Sequence, residues 1–179
     1  MEKSREQIGT IGRAILGGYT GLLSLLLIYL VVTLWPTGPA DAAGNVTIRM
    51  FGTSFSLSAE VRMIYLVATV AGLGSTVHMA TSFADFAGAR RLYRSWVWWY
   101  MLRVFIGASL ALVFYFVIRG GVLSVGTSAS ELNTYGVAAV AGLVGMFSKQ
   151  ATDKLRELFD NLFKTDKPED RPDNLKGSS

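Results

Sequence analysis

Ser75, His78, Ser82 and Asp85 stand three, four and three residues apart inside the apolar run from Val61 to Phe86. Helical geometry puts all four on one face. Their side chains suit two kinds of chemistry. The hydroxyls and the imidazole could bond across a helix interface, each bond worth about 1 kcal/mol. Alternatively, the face could line an aqueous path, with His78 able to change charge near physiological pH and Asp85 forming a cation-attracting ring at the cytoplasmic mouth. An imidazole or carboxylate facing lipid is expensive, so the face must look at another helix, another subunit or water. Ala68 and Ala71 extend the same seam at a heptad-like spacing. Counting about 20 residues from Met63 ends the hydrocarbon near Ser82, which leaves Asp85 at the headgroups and His78 as the ionisable group inside the span.

Other site chemistries lack their residues. A single histidine cannot make HExxH, and Ser75 with His78 has no G-x-S-x-G elbow. No glycine-rich phosphate loop or calcium loop is present. The absence of cysteine removes disulfides, thiolate metal sites and thiol catalysis. The expectation is a protein without catalytic residues, metal or cofactor. The net charge of +4 is not spread over a nucleic-acid-binding face, so no nucleic-acid partner is expected.

The elements that must position the seam are membrane spans. Hydrophobic residues make up 51% of the 179 and charged ones 17%, and the apolar residues come in blocks. Residues 14–35 form an uncharged first span; at 1.5 Å per residue they reach about 33 Å. The second span is 61–86. The third is 96–118, which opens on the interfacial aromatics Trp96, Trp98, Trp99 and Tyr100. The fourth, 133–147, is short and is expected to continue into the following helix as a tilted or protein-surrounded span. A cleaved signal peptide is the competing reading of the first span, but its apolar stretch exceeds a signal h-region.

Lysine and arginine set the orientation. Lys3, Arg5 and Arg13 precede the first span, Arg90, Arg91 and Arg94 lie in the loop 87–95, and seven more follow the fourth span. The opposite side receives Arg49, Arg62 and Arg119. The positive-inside rule therefore makes the N-terminus 1–13, the loop 87–95 and the C-terminus cytoplasmic. This agreement requires an even number of spans.

The outer loop 36–59 carries turn residues and then alternation around Gly52, predicting a hairpin over about Val46 to Phe51 and Ser54 to Leu57. Ser58 is the expected N-cap of the second span, with Glu60 in its first turn. A lone hairpin is marginal in water, so it should pack on the span exits or pair with copies. The second outer loop, 119–132, is rich in glycine and small residues and is expected to be a flexible connection.

Residues 148–163 read as a cytoplasmic amphipathic helix. Phe147, Leu155, Leu158, Phe159, Leu162 and Phe163 form an apolar stripe for a partner helix or a second copy. Its polar face mixes both signs, which favours helix bundling over lipid. The charged, proline-containing tail 164–179 is expected to be disordered. Gly17-x-x-x-Gly21, Ala138-x-x-x-Gly142 and Ala141-x-x-x-Gly145 mark close helix packing. Arg103, two turns into the third span, is expected to pair with Asp85 or to snorkel to the cytoplasmic headgroups.

The C-terminal third, including GMFSKQATDKLRELF, resembles a functionally uncharacterised family of small four-span bacterial inner-membrane proteins that end in a GxFS-x-x-A-x-x-K-L-x-x-x-F helix. The resemblance implies a bacterial inner-membrane location and brings no functional residues with it. The expected fold is an all-α integral membrane protein: a four-helix transmembrane bundle with a short extracytoplasmic β-hairpin and a cytoplasmic amphipathic helix. The expected partners are the lipid bilayer, further copies of the chain and a cytoplasmic protein. The expected function is a homo-oligomeric ion channel or pore, because one chain is too short to enclose a path. The alternative is a non-catalytic anchor or scaffold that docks a partner through its C-terminal helix. A transporter would call for an inverted repeat, and the sequence shows none.

Overall fold

The structure is a computed structural model that describes residues 7–38, 41, 44–89, 91–120 and 133–162. Most of the second outer loop, Phe163 and the tail 164–179 lie outside the described residues. Among the described residues there are five α-helices and one small sheet: α1 Thr10–Leu34, β1 Asn45–Met50, β2 Thr53–Ser58, α2 Ala59–Gly88, α3 Val97–Arg119, α4 Thr134–Met146 and α5 Ser148–Leu162. A single 3₁₀ turn, Arg94–Trp96, leads into α3. Contacts divide the chain into two units, one ending at Ser148 and one beginning at Lys149.

In the first unit α2 is the central helix, packed against α1, α3 and α4. Half of its most apolar stretch is buried, against 17% for α1 and 22% for α3. That difference explains its sequence. A helix surrounded by neighbours needs small and polar residues that fit and bond, whereas α1 and α3 carry large apolar side chains on open faces, such as Leu22, Val32, Phe105 and Phe116. Among the described residues three helices (α1, α2 and α3 with its 3₁₀ turn) are long and apolar enough to cross a membrane. At 13 residues α4 is shorter.

Ser58 caps α2, its Oγ accepting from the Val61 N–H at 3.3 Å, with Glu60 in the first turn. Asn133 does the same for α4, accepting from the Tyr135 N–H at 2.9 Å. At the end of the bundle that holds the connection between α2 and α3, Leu16, Met79, Leu92 and Tyr100 form one core cluster. At the opposite end, Ile48 of β1 joins Leu34 and Leu66 in another. The hairpin therefore packs on the exits of α1 and α2, which supplies the burial an isolated hairpin lacks.

The antiparallel register runs from Asn45 opposite Ser58 to Met50 opposite Thr53, leaving Phe51 and Gly52 as a two-residue turn. Phe51 thus belongs to the turn, not to the predicted first strand. Both residues have positive φ, 50° and 80°, as a twist-matched hairpin turn requires. For phenylalanine this conformation costs about 1 kcal/mol or more. Tyr29 of α1 holds it there: its hydroxyl accepts from the Phe51 N–H at 3.0 Å, and the two rings lie 5.0 Å apart. Tyr29→Phe should weaken the turn by about 1 kcal/mol. Hydrogen exchange at the Phe51 amide should then speed up about five-fold; an unchanged rate would mean that the hydroxyl does not hold the turn.

The helix α4, expected to continue into the next helix, does not do so. The chain breaks at Phe147, where φ is −113° and ψ is 44°, and α5 starts one residue later. In α5 the charged residues Lys149, Asp153, Arg156, Glu157 and Asp160 occupy the side opposite Ala151, Leu155 and Leu158, with Lys154 at the border. Lys154 and Glu157 form an exposed ion pair at 2.6 Å.

Candidate functional site

The seam of α2 does not present a single surface. Ser75 is 0% exposed, and its hydroxyl donates to the Gly145 carbonyl of α4 at 3.0 Å. Ala71 is equally buried, its backbone against Gly145. The contact is close because glycines line it. Gly74 of α2 lies against Gly142 of α4, and Gly107 of α3 lies against Ser75 and Gly145. Only hydrogens separate these backbones, so Ser75 sits where three helices meet, in a dry contact within one subunit.

One turn further on the seam opens. His78 and Ser82 are partly exposed and line a groove of about 400 Å³ with Phe86, Ser95, Trp96, Trp99 and Tyr100. The groove owes its walls to the aromatic cluster at the start of α3. The Phe86 and Trp96 rings meet edge to face at 4.6 Å, and Trp99 stands 6.1 Å from the imidazole of His78. Asp85 is exposed, so the structure brings Ser75 together with α3 and α4, places His78 and Ser82 in the groove, and leaves Asp85 outside both.

Arg103 takes a third role that the sequence did not suggest. It forms no ion pair with Asp85 among the described residues. Its Nη2 donates to the Met146 carbonyl at 3.0 Å and its Nη1 to the Ser148 Oγ at 2.8 Å, across the break between α4 and α5. The guanidinium also lies 5.5 Å over the Trp99 ring. Two buried polar atoms here, the Tyr100 hydroxyl and Arg103 Nε, have no hydrogen-bond partner among the described residues.

Of the partner-helix residues, Leu155 and Leu158 are partly buried, while Phe147 forms the break and is 46% exposed. Among the small-residue pairs, a Cβ added at Gly17 would lie 3.1 Å from the Phe83 ring, whereas one added at Gly21 would have nothing within 4 Å. Among the described residues no three His, Cys, Asp or Glu side chains come together to hold a metal.

The chain matches no protein-family model, no curated protein and no solved structure. Function must therefore be argued from the geometry.

A network at the opposite end of the bundle also went unread in the sequence. Glu60 accepts from the Tyr115 hydroxyl at 2.9 Å and from Arg119 at 3.0 Å, tying the start of α2 to the end of α3. The Glu60–Arg119 pair is half exposed, so by itself it contributes at most about 1 kcal/mol. A sequence signal was available: Arg119 ends α3 on the side where Glu60 begins α2, as an antiparallel pair of spans requires. Nothing local predicted Ser75 with Gly145.

Proposed function

We propose that this chain is a multi-pass protein of a bacterial inner membrane, with both termini cytoplasmic, acting as a non-catalytic anchor or scaffold. Four helices form its membrane core, and α5 is the element that docks a cytoplasmic partner. The observation that carries this reading is the dry contact of Ser75 with Gly145. A pore-lining face keeps its polar groups wet, yet the central hydroxyl of this seam is consumed within one subunit. Membrane insertion is supported by the large open apolar faces of α1 and α3, which exceed what a water-soluble monomer tolerates. Self-association would cover part of those faces.

The channel reading keeps one observation in its favour. The groove with His78 and Ser82 is open, and copies arranged around an axis could turn these grooves toward a shared path. Liposomes separate the two readings. The scaffold predicts proton and potassium flux no greater than in empty vesicles. Flux that falls in His78→Ala and Asp85→Asn would replace the scaffold with the channel. The chain lacks cysteine, so introduced thiols report single positions. Ser75→Cys should resist a membrane-permeant maleimide until the protein is unfolded, whereas Ser82→Cys should react in the folded state. Rapid labelling at position 75 would mean that the seam is wet.

A further inference from the structure

Arg62 stands in the first turn of α2, 8% exposed, and forms no hydrogen bond or ion pair among the described residues. The carboxylate nearest to it in sequence, Glu60, is committed to Tyr115 and Arg119. An arginine residue buried to this extent with no ion pair among the described residues bears a desolvation cost that no direct contact offsets. It also lines a cavity of about 430 Å³ between the end of α1 and β1, whose wall includes Trp35, Thr37, Asp41, Asn45 and Thr47. The cavity thus combines one unpaired cation, hydroxyl and amide donors, and an indole.

We propose that this cavity is a binding site for a phosphate group, held by Arg62 with help from the Thr37 and Thr47 hydroxyls. Five N–H donors in a planar fork match the several oxygens of phosphate, and hydroxyls can turn to meet the remainder. Asp41 adds a selectivity. Its Oδ1 accepts from the Asn45 N–H at 2.8 Å, which fixes a carboxylate in the wall. A dianion is repelled there, while a singly charged phosphodiester is tolerated, and one carrying an ammonium, as an ethanolamine head does, complements both charges. The phosphodiester could belong to a phospholipid head or to a free soluble ester. The lipid source rests on the membrane reading above, since the start of α2 then lies at headgroup level; the phosphate site itself does not.

Full-length protein in neutral detergent would be titrated with dihexanoyl phosphatidylethanolamine, glycerophosphoethanolamine and inorganic phosphate, with binding followed by calorimetry. The wild type should bind both ethanolamine phosphodiesters saturably and inorganic phosphate more weakly. Arg62→Gln should weaken the phosphodiesters about tenfold or more. Arg62→Lys should fall between, and Arg49→Gln, which removes an exposed outer arginine of β1, should bind as the wild type. Equal binding of the lipid and the soluble ester would retain the site and assign it to a free ligand; tighter binding of the lipid would assign it to headgroups. Without ligand, Arg62→Leu should melt no lower than the wild type, because it removes an uncompensated charge. Undiminished binding in Arg62→Gln, an equal loss in Arg49→Gln, no saturable binding at all, or a lower melting point for Arg62→Leu would each overturn the proposal.

Discussion

Replacing Gly145 with alanine should destabilise the protein by about 3 kcal/mol or more, the upper end of overpacking costs. A Cβ at position 145 would meet the Ala71 carbonyl, with the carbonyl carbon at 2.7 Å and the Cα at 2.9 Å, where carbon atoms ordinarily stay about 3.5 Å or more apart. A Cβ on Gly74 would meet the Gly142 carbonyl oxygen, with the Met146 nitrogen at 3.1 Å. All of these obstacles are backbone, so no rotamer change relieves them; α2 and α4 must move apart. That motion would also break the hydrogen bond from Ser75 to the Gly145 carbonyl. Gly74→Ala should therefore behave like Gly145→Ala, and the double variant should cost less than the sum, because the first separation serves both. Gly21→Ala is the control. Nothing lies within 4 Å of its added carbon, and alanine favours helix over glycine by about 0.5–1 kcal/mol. Equilibrium unfolding in mixed micelles should therefore rank Gly21→Ala at or above the wild type and both seam variants well below it. If Gly145→Ala proved as stable as Gly21→Ala, the close crossing of α2 and α4 would be wrong, and with it the dry seam on which the scaffold reading rests.

The contrast between Gly145 and Gly21 shows what was legible in the sequence. Small residues four apart mark surfaces where helices can approach, and this rule located Ala141 and Gly145 without saying what would meet them. It marked Gly21 equally well, yet Gly21 faces open space. The long apolar runs and the hairpin were readable because each is dictated by a local pattern of hydrophobicity or turn chemistry. Phe51 was misread as strand because phenylalanine carries no turn signal; its positive φ is imposed by Tyr29, 22 residues away. The seam was readable as a face, since helical periodicity is local. Its division into a dry half and an open groove depends on where α3 begins and α4 ends, which periodicity does not encode. That Arg62 finds no partner among the described residues was likewise invisible, because its nearest acid in sequence is taken by α3.

Arg103→Leu should cost about 3 kcal/mol, because it removes two charge-assisted hydrogen bonds from the joint between α4 and α5. The reason lies in the length of α4. Thirteen residues reach about 20 Å, short of the roughly 30 Å hydrocarbon thickness. On the proposed span assignment the helix ends while still within or close to the apolar layer, where a free carbonyl has no water to bond. Phe147 itself is neither glycine nor proline, so the residue at the break carries no helix-stop signal of its own. The guanidinium supplies what is missing: one nitrogen takes the Met146 carbonyl at the end of α4 and another takes the Ser148 hydroxyl that begins α5. A cation at a helix C-terminus also meets the favourable end of the helix dipole. Lysine offers charge without the fork, so Arg103→Lys should recover about half of the loss. Ser148→Ala should cost about 1 kcal/mol for this bond, and the double variant should cost less than the sum, since both single changes remove the same bond. Snorkelling predicts a different pattern. A charge reaching for headgroups would be replaced fully by lysine and would be indifferent to Ser148, so wild-type stability in Arg103→Lys together with additive losses in the double variant would return Arg103 to the lipid surface.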